Sequence, residues 1–188
     1  MNAGSSTSSN LELTAEHDEI PSCIEIGLRA SKKGNFEVAR QMLRTAIEQF
    51  EGHEAELPQL IELITNIADM YLNGGTYASA KEWYAKALHH SELLYGGNSL
   101  NVACLTARLA EVSALESNIE DFHKFFQRAQ RVYLNLEESK LSALLGVLID
   151  LSWVLCMQGR VVEVKPVNEM IEQIKRMEEE DRLGILVA

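Results

Sequence analysis

The sequence predicts an all-α protein, a right-handed solenoid of about four antiparallel helix pairs, and three observations predict it. The first is a phrase that returns along the chain. Gly34-Asn35-Phe36-Glu37-Val38-Ala39 is echoed by Gly75-Thr76-Tyr77-Ala78-Ser79-Ala80, then by Ser117-Asn118-Ile119-Glu120-Asp121-Phe122 and Gly159-Arg160-Val161-Val162-Glu163-Val164. The intervals are 41, 42 and 42 residues. A constant period of this size marks stacked units, none of which buries its apolar face alone. The second observation is that apolar residues between the echoes recur with a helical period. The third is that only three prolines occur, Pro21, Pro58 and Pro166. Long proline-free stretches suit helices, because an internal proline removes a donor and clashes with the preceding turn.

Each element follows in order. Residues 1–18 are polar and lack aromatic side chains, so they are expected to form a disordered tail. The repeat domain is expected over 19–182, with repeats at about 20–56, 57–97, 98–138 and 139–180. Ile20, Cys23, Ile24, Gly27 and Ala30 lie on one stripe of a first helix that Gly34-Asn35 ends. A second helix runs from Phe36 to about Phe50. Helices three and four are expected at about Leu57–Asn73 and Tyr77–Tyr95, ending at Gly74-Gly75 and Gly96-Gly97. Helices five, six and seven follow at about Leu100–Glu116, Glu120–Leu136 and Lys140–Met157. For the last helix, Pro166 is expected in the first turn, where proline is tolerated; a start at Val161 would instead put it inside. The apolar residues 183–188 either fold back on that helix or meet a neighbouring molecule, which would make a homo-oligomer.

The aligned positions form columns. Gly27, Ala68, Ala110 and Ser152 are small residues in the first helix of each pair. Ala39 and Ala80, and Ala46, Ala87 and Ala129, are small residues in the second. Around them stand large residues: Ile26, Ile67, Leu109 and Leu151 in one column, Phe36, Tyr77, Ile119 and Val161 in another. Small against large lets paired helices approach closely.

Composition narrows function. The formal charge of −11 repels phosphate backbones and anionic lipid, which argues against nucleic acid and membrane partners. No apolar run approaches the roughly 18 residues of a membrane span, and no secretory leader is visible at Met1–Asn10. Cys23, Cys104 and Cys156 are odd in number and lie in apolar helical patterns, which fits free thiols and a cytoplasmic location. His89 and His90 are adjacent and diverge on a helix, and no His-x-x-x-His or Cys-x-x-Cys spacing occurs. No metal, cofactor or catalytic residue is assigned, and no nucleophile–base pattern rises above chance.

The columns resemble the tetratricopeptide repeat, in which a small residue in helix A precedes a glycine-x-aromatic turn and two alanines seven apart in helix B. The longer period is similar to that of kinesin light chains. There, units are joined by a phrase like Leu-Gly-x-x-His-Pro-x-Val-Ala and contain Leu-Asn-Asn-Leu-Ala. Tyr95-Gly96-Gly97-Asn98-Ser99-Leu100-Asn101-Val102-Ala103 and Ile64-Thr65-Asn66-Ile67-Ala68 are versions of these phrases. The resemblance covers about residues 20–178 and is weakest in repeat four.

What the resemblance implies is a concave groove lined by the first helices, where partner segments lie. Carried over, the groove residues are Leu28; Thr65, Asn66 and Asp69; Arg108 and Glu111; and Ile149, Asp150 and Trp153. Of the five positions that clamp a terminal carboxylate in the chaperone-binding type, only Asn66 and Arg108 match in kind, too few charge-assisted bonds for a clamp. Asp69, Glu111 and Asp150 give the groove an acidic bias, with Arg108 the lone cation, which favours a basic or amphipathic partner segment. Trp153 has two readings: packing between helices seven and eight, the ordinary fate of a large aromatic, or a binding anchor. Trp83 is expected to pack. The expected function is a non-enzymatic adaptor or scaffold holding a peptide or helix of another protein. The alternative is a peptide-responsive sensor or assembly factor whose superhelix changes shape on binding.

Overall fold

The computed structural model describes residues 22–48, 57–136 and 141–183. The expected tail over 1–18 and residues 184–188 of the apolar end lie outside them. The described residues form eight α-helices and no strand: α1 over 22–32, α2 Phe36–Glu48, α3 Leu57–Asn73, α4 Tyr77–Tyr95, α5 Leu100–Leu115, α6 Ile119–Tyr133, α7 Ser142–Met157 and α8 Val161–Arg182. This is the all-α repeat architecture of an α-solenoid. The chain falls into two compact units, 1–70 and 71–188, with the division inside α3.

The turns explain the period. Gly34, Gly75 and Gly159 have φ of +75°, +72° and +69°, and Ser117 stands in the same register at +59°. At each, the left-handed residue donates its N–H three residues back and the next residue donates five back. The bonds are Gly34 to Ser31 and Asn35 to Ala30, Gly75 to Leu72 and Thr76 to Tyr71, Ser117 to Ala114 and Asn118 to Ser113, and Gly159 to Cys156 and Arg160 to Leu155, all 2.8–3.0 Å. This paired bond closes a helix and turns the chain back, and only a left-handed residue permits it. Three glycines accept that conformation without steric cost. Asn118 then caps α6, its Oδ1 accepting from the N–H of Asp121 at 3.0 Å, and Ser99 Oγ caps α5 from Val102 at 3.4 Å.

In the first unit Ile24, Leu43, Leu60, Leu63, Ile64 and Ile67 are buried with Ala39 and Ala46. Gly27 is small for a measurable reason. A Cβ built there would lie 2.9 Å from Leu63 Cδ2 and 3.2 Å from Met42 Cβ. In the second unit α5 is the central helix, packed against α4, α6 and α7, while α7 packs on α8. Its run from Leu105 to Ala114 is buried except Arg108, which is half-buried. Phe122 and Phe126 of α6 stack at 5.8 Å, and the Arg160 guanidinium sits 4.8 Å over the Phe122 ring.

Three expectations need correction. Phe36, Ile119 and Val161 are exposed and Tyr77 is half-buried, so this column is not core. Each is the first residue of its helix, where the side chain leans back over the turn rather than between helices. Ile26 is also exposed, whereas Ile67, Leu109 and Leu151 at the same register are buried. Finally, α8 begins at Val161, so Pro166 lies inside it and the Val162 carbonyl lacks its usual i+4 donor.

Candidate partner-binding surface

The expected groove residues lie on first helices, and each unit is taken by itself. In the first unit Leu28, Thr65, Asn66 and Asp69 are half-buried. The Thr65 hydroxyl donates to the Ile61 carbonyl at 2.8 Å, and the Asn66 amide nitrogen is buried without a hydrogen-bond partner among the described residues. Lys32 and Glu62 make an exposed ion pair at 3.1 Å between α1 and α3.

In the second unit Arg108, Glu111 and Asp150 form one cluster. Arg108 Nη1 donates to Glu111 Oε2 at 2.8 Å and to Asp150 Oδ2 at 3.0 Å, joining α5 to α7. Glu111 is only 5% exposed. This changes the electrostatic expectation: Arg108 is no lone cation offered to a ligand, and Glu111 is a buried charge compensated from within. Burying either charge without the other would be strongly unfavourable, so the cluster acts as structure first.

Ile149 and Trp153 stand one helical turn apart on α7, 47% and 65% exposed. Trp153 therefore does not pack between α7 and α8, contrary to the ordinary reading of a large aromatic. With Ser152 and Cys156 it forms one wall of a cleft of about 580 Å³; Asn168, Ile171, Glu172 and Lys175 of α8 form the other. Ser152 Oγ donates to Asn168 Oδ1 across its floor at 2.6 Å, and Lys175 pairs with Glu172 at 3.0 Å. Trp83 on α4 is half-buried, with the Lys86 ammonium 4.1 Å over its ring.

A second set of charges was not singled out by sequence reasoning. Lys81 of α4 bonds Asp121 at 2.6 Å and Glu116 at 3.4 Å. The hydrogen bond from Lys81 holds the Asp121 carboxyl below its ordinary range. Burial works to lower the Lys81 pKa, and the bonds and charges of Asp121 and Glu116 together outweigh it, leaving it raised. One period on, Glu163 is likewise lowered, by its own backbone N–H and by Arg160 and His123. The signal was present in the sequence: Asp121 and Glu163 are 42 residues apart, as are Lys81 and His123. Arg128 of α6 and Glu92 of α4 make a further bridge.

Among the described residues no three His, Cys, Asp or Glu side chains are grouped to hold a metal ion, and no helix is long and apolar enough to cross a membrane.

No family model matches the chain. Among curated proteins it is similar to the clustered mitochondria protein homolog of Coccidioides immitis, 27% identical over 119 residues, and to that of Ajellomyces capsulatus, 26% identical over 119 residues. Each match takes in 63% of this chain but only 9% and 10% of the relative, so the chain spans about a tenth of the length of these proteins. Among solved structures, BtubC (BKLC) from P. vanneervenii superposes with a TM-score of 0.65 at 17% identity, over 84% of this chain and 63% of that one. That likeness shows the fold, a tetratricopeptide-like helical repeat.

Proposed function

We propose that this chain is a non-enzymatic protein-interaction module that holds a peptide or helix of another protein on the exposed faces of its first helices. The observation that carries the reading is the exposure of Trp153 beside Ile149 on α7. Tryptophan is over-represented among residues that dominate binding energy, and leaving one in water forgoes a large burial gain unless a partner covers it. The rigid helix pair has already met most of the ordering cost, so a short segment can bind. Arg108, Glu111 and Asp150 are proposed to flank a segment bound on the second unit, and Leu28, Thr65, Asn66 and Asp69, taken by themselves, are proposed as partner contacts of the first. The net charge of −11 favours a partner segment with an apolar face and basic flanks. Because Glu111 is buried against Arg108, the apolar anchor and not the acidic cluster is proposed to supply most of the affinity.

The test is affinity capture from native lysate with quantitative mass spectrometry, comparing the wild-type chain with Trp153→Ser and Trp83→Ser. The expected result is a partner retained by Trp83→Ser and lost with Trp153→Ser. An identical set of captured proteins for all three chains would overturn the assignment.

A further inference from the structure

Asn73 is the last residue of α3 and is exposed, as is Gly74 after it. It is the one asparagine of the chain that precedes a glycine; the other nine precede residues that carry a side chain. The turn into α4 does not itself ask for glycine at position 74. Its left-handed residue is Gly75, with φ of +72°. One place before the left-handed residue, the other three turns carry Lys33, Glu116 and Gln158. A side chain is therefore accepted in this register, and the consequence of glycine falls on its neighbour. Without a Cβ, the Gly74 nitrogen is open to close approach by the side chain of Asn73.

An asparagine amide and the next peptide nitrogen are a reacting pair. The Gly74 nitrogen, after losing its proton to hydroxide, attacks Cγ of Asn73. The N–Cγ bond forms, the Cγ–Nδ2 bond breaks, and Nδ2 takes a proton from water and leaves as ammonia. Water then opens the five-membered imide at either carbonyl. Opening at Cγ leaves aspartate; opening at the main-chain carbonyl leaves isoaspartate, with the backbone running through the side chain. Water and hydroxide are the only co-reactants. Within a helix the backbone holds the next nitrogen away from the side-chain carbonyl, which shields an interior asparagine such as Asn66. Asn73 needs only the end of its helix to open, and exposed helix ends open at little cost.

The turn is sensitive to both products. Two bonds close it, Gly75 N–H to the Leu72 carbonyl at 3.0 Å and Thr76 N–H to the Tyr71 carbonyl at 2.8 Å. The bond from Asn73 to Gly74 lies inside both hydrogen-bonded rings, so isoaspartate lengthens each by one methylene and moves the donors off their acceptors. Either product also sets a carboxylate at the carbonyl end of α3, where the helix dipole disfavours an anion. We infer that Asn73 is a self-modification site, deamidated through the Gly74 nitrogen, and that its conversion loosens the turn between α3 and α4. The inference goes beyond the proposed function and does not depend on it.

The test ages the full chain in neutral and in mildly alkaline buffer, beside a synthetic peptide with the sequence of residues 71–76. After digestion in acid, mass spectrometry scores aspartate and isoaspartate at every asparagine. The expected result is that Asn73 converts ahead of all others in the folded chain, faster in the alkaline buffer. Gly74→Ala should slow that conversion about tenfold. This variant is expected to keep the helical spectrum of the parent, because residues with side chains hold its register in the other turns. Hydrogen exchange at the Gly75 and Thr76 amides should be about tenfold faster in the aged chain than in the fresh one. An unconverted Asn73 in the chain when the peptide is fully converted would overturn the site. Conversion of Asn98 ahead of Asn73, or an unchanged rate in Gly74→Ala, would overturn the part given to Gly74. Full conversion with unaltered exchange at Gly75 and Thr76 would overturn the loosening of the turn.

Discussion

Ser117 occupies the left-handed position that Gly34, Gly75 and Gly159 occupy in the other three turns. A Cβ in that region is disfavoured by about 1–2 kcal/mol, partly offset by the extra freedom glycine has in the unfolded chain. Ser117→Gly should therefore raise stability by about 0.5–1 kcal/mol, and Ser117→Val should lower it; urea midpoints measure both. The Lys81–Asp121 bridge gives a pH dependence of fixed sign. The Asp121 pKa is held below 3.8, so its contribution is present above that value and lost as pH falls through the lowered one. The Lys81 pKa is raised above 10.5, so its contribution is present below that value and lost as pH rises through the raised one. Lys81→Met should cost stability across the window between the two, and the difference from wild type should shrink as pH falls below 3.8 and through the lowered Asp121 value. A difference that persisted undiminished in acid would show that the loss is one of packing and not of charge. The glycine turns were legible because glycine announces its conformation in the sequence. The Lys81 bridge was missed although the 42-residue register of Asp121 with Glu163 and of Lys81 with His123 pointed to it, because a charge 40 residues from its partner otherwise looks like any solvated lysine.

At the scale of the helix, burial sorts the repeated columns into those that set spacing and those that do not. Ala80 and Ala87 of α4 have no exposed surface. Ala80→Leu and Ala87→Leu should each destabilise by about 1–3 kcal/mol, because the added methylenes have no space to enter. Wild-type thermal stability in both would show that the repeat register is misassigned. Pro166 offers the opposite change. It lies within α8 and deprives Val162 of a donor, so Pro166→Ala should stabilise by about 1–3 kcal/mol, read as a raised melting temperature. An unchanged or lowered value would mean that the proline is held by contacts that alanine cannot make. The start of α8 illustrates why the fourth repeat was hardest to read. Proline prefers a first turn, yet the turn at Gly159-Arg160 is the same paired bond as in the other repeats and fixes the start at Val161. The turn overrode the propensity of the residue.

At the scale of the molecule, the period made the fold legible, because one repeating unit must pack on its copies to be stable. The site was legible only in part. The resemblance to the tetratricopeptide repeat brought forward Ile149, Asp150 and Trp153, but their states depend on neighbours 42 residues away. Asp150 is bonded through Arg108 to α5, and Trp153 is exposed because no described residue covers it. A single column cannot reveal which repeat is the one left uncovered. The proposed function depends on that uncovered first helix, α7, and a photo-crosslinking residue tests it most directly. Placed at Ile149 on α7, and separately at Arg131 on the exposed face of α6, it records the partner's contacts inside the cell. The account predicts a strong crosslinked adduct to another protein from position 149 and little from 131. Adducts from 131 with none from 149 would put the partner on the second helices and contradict it.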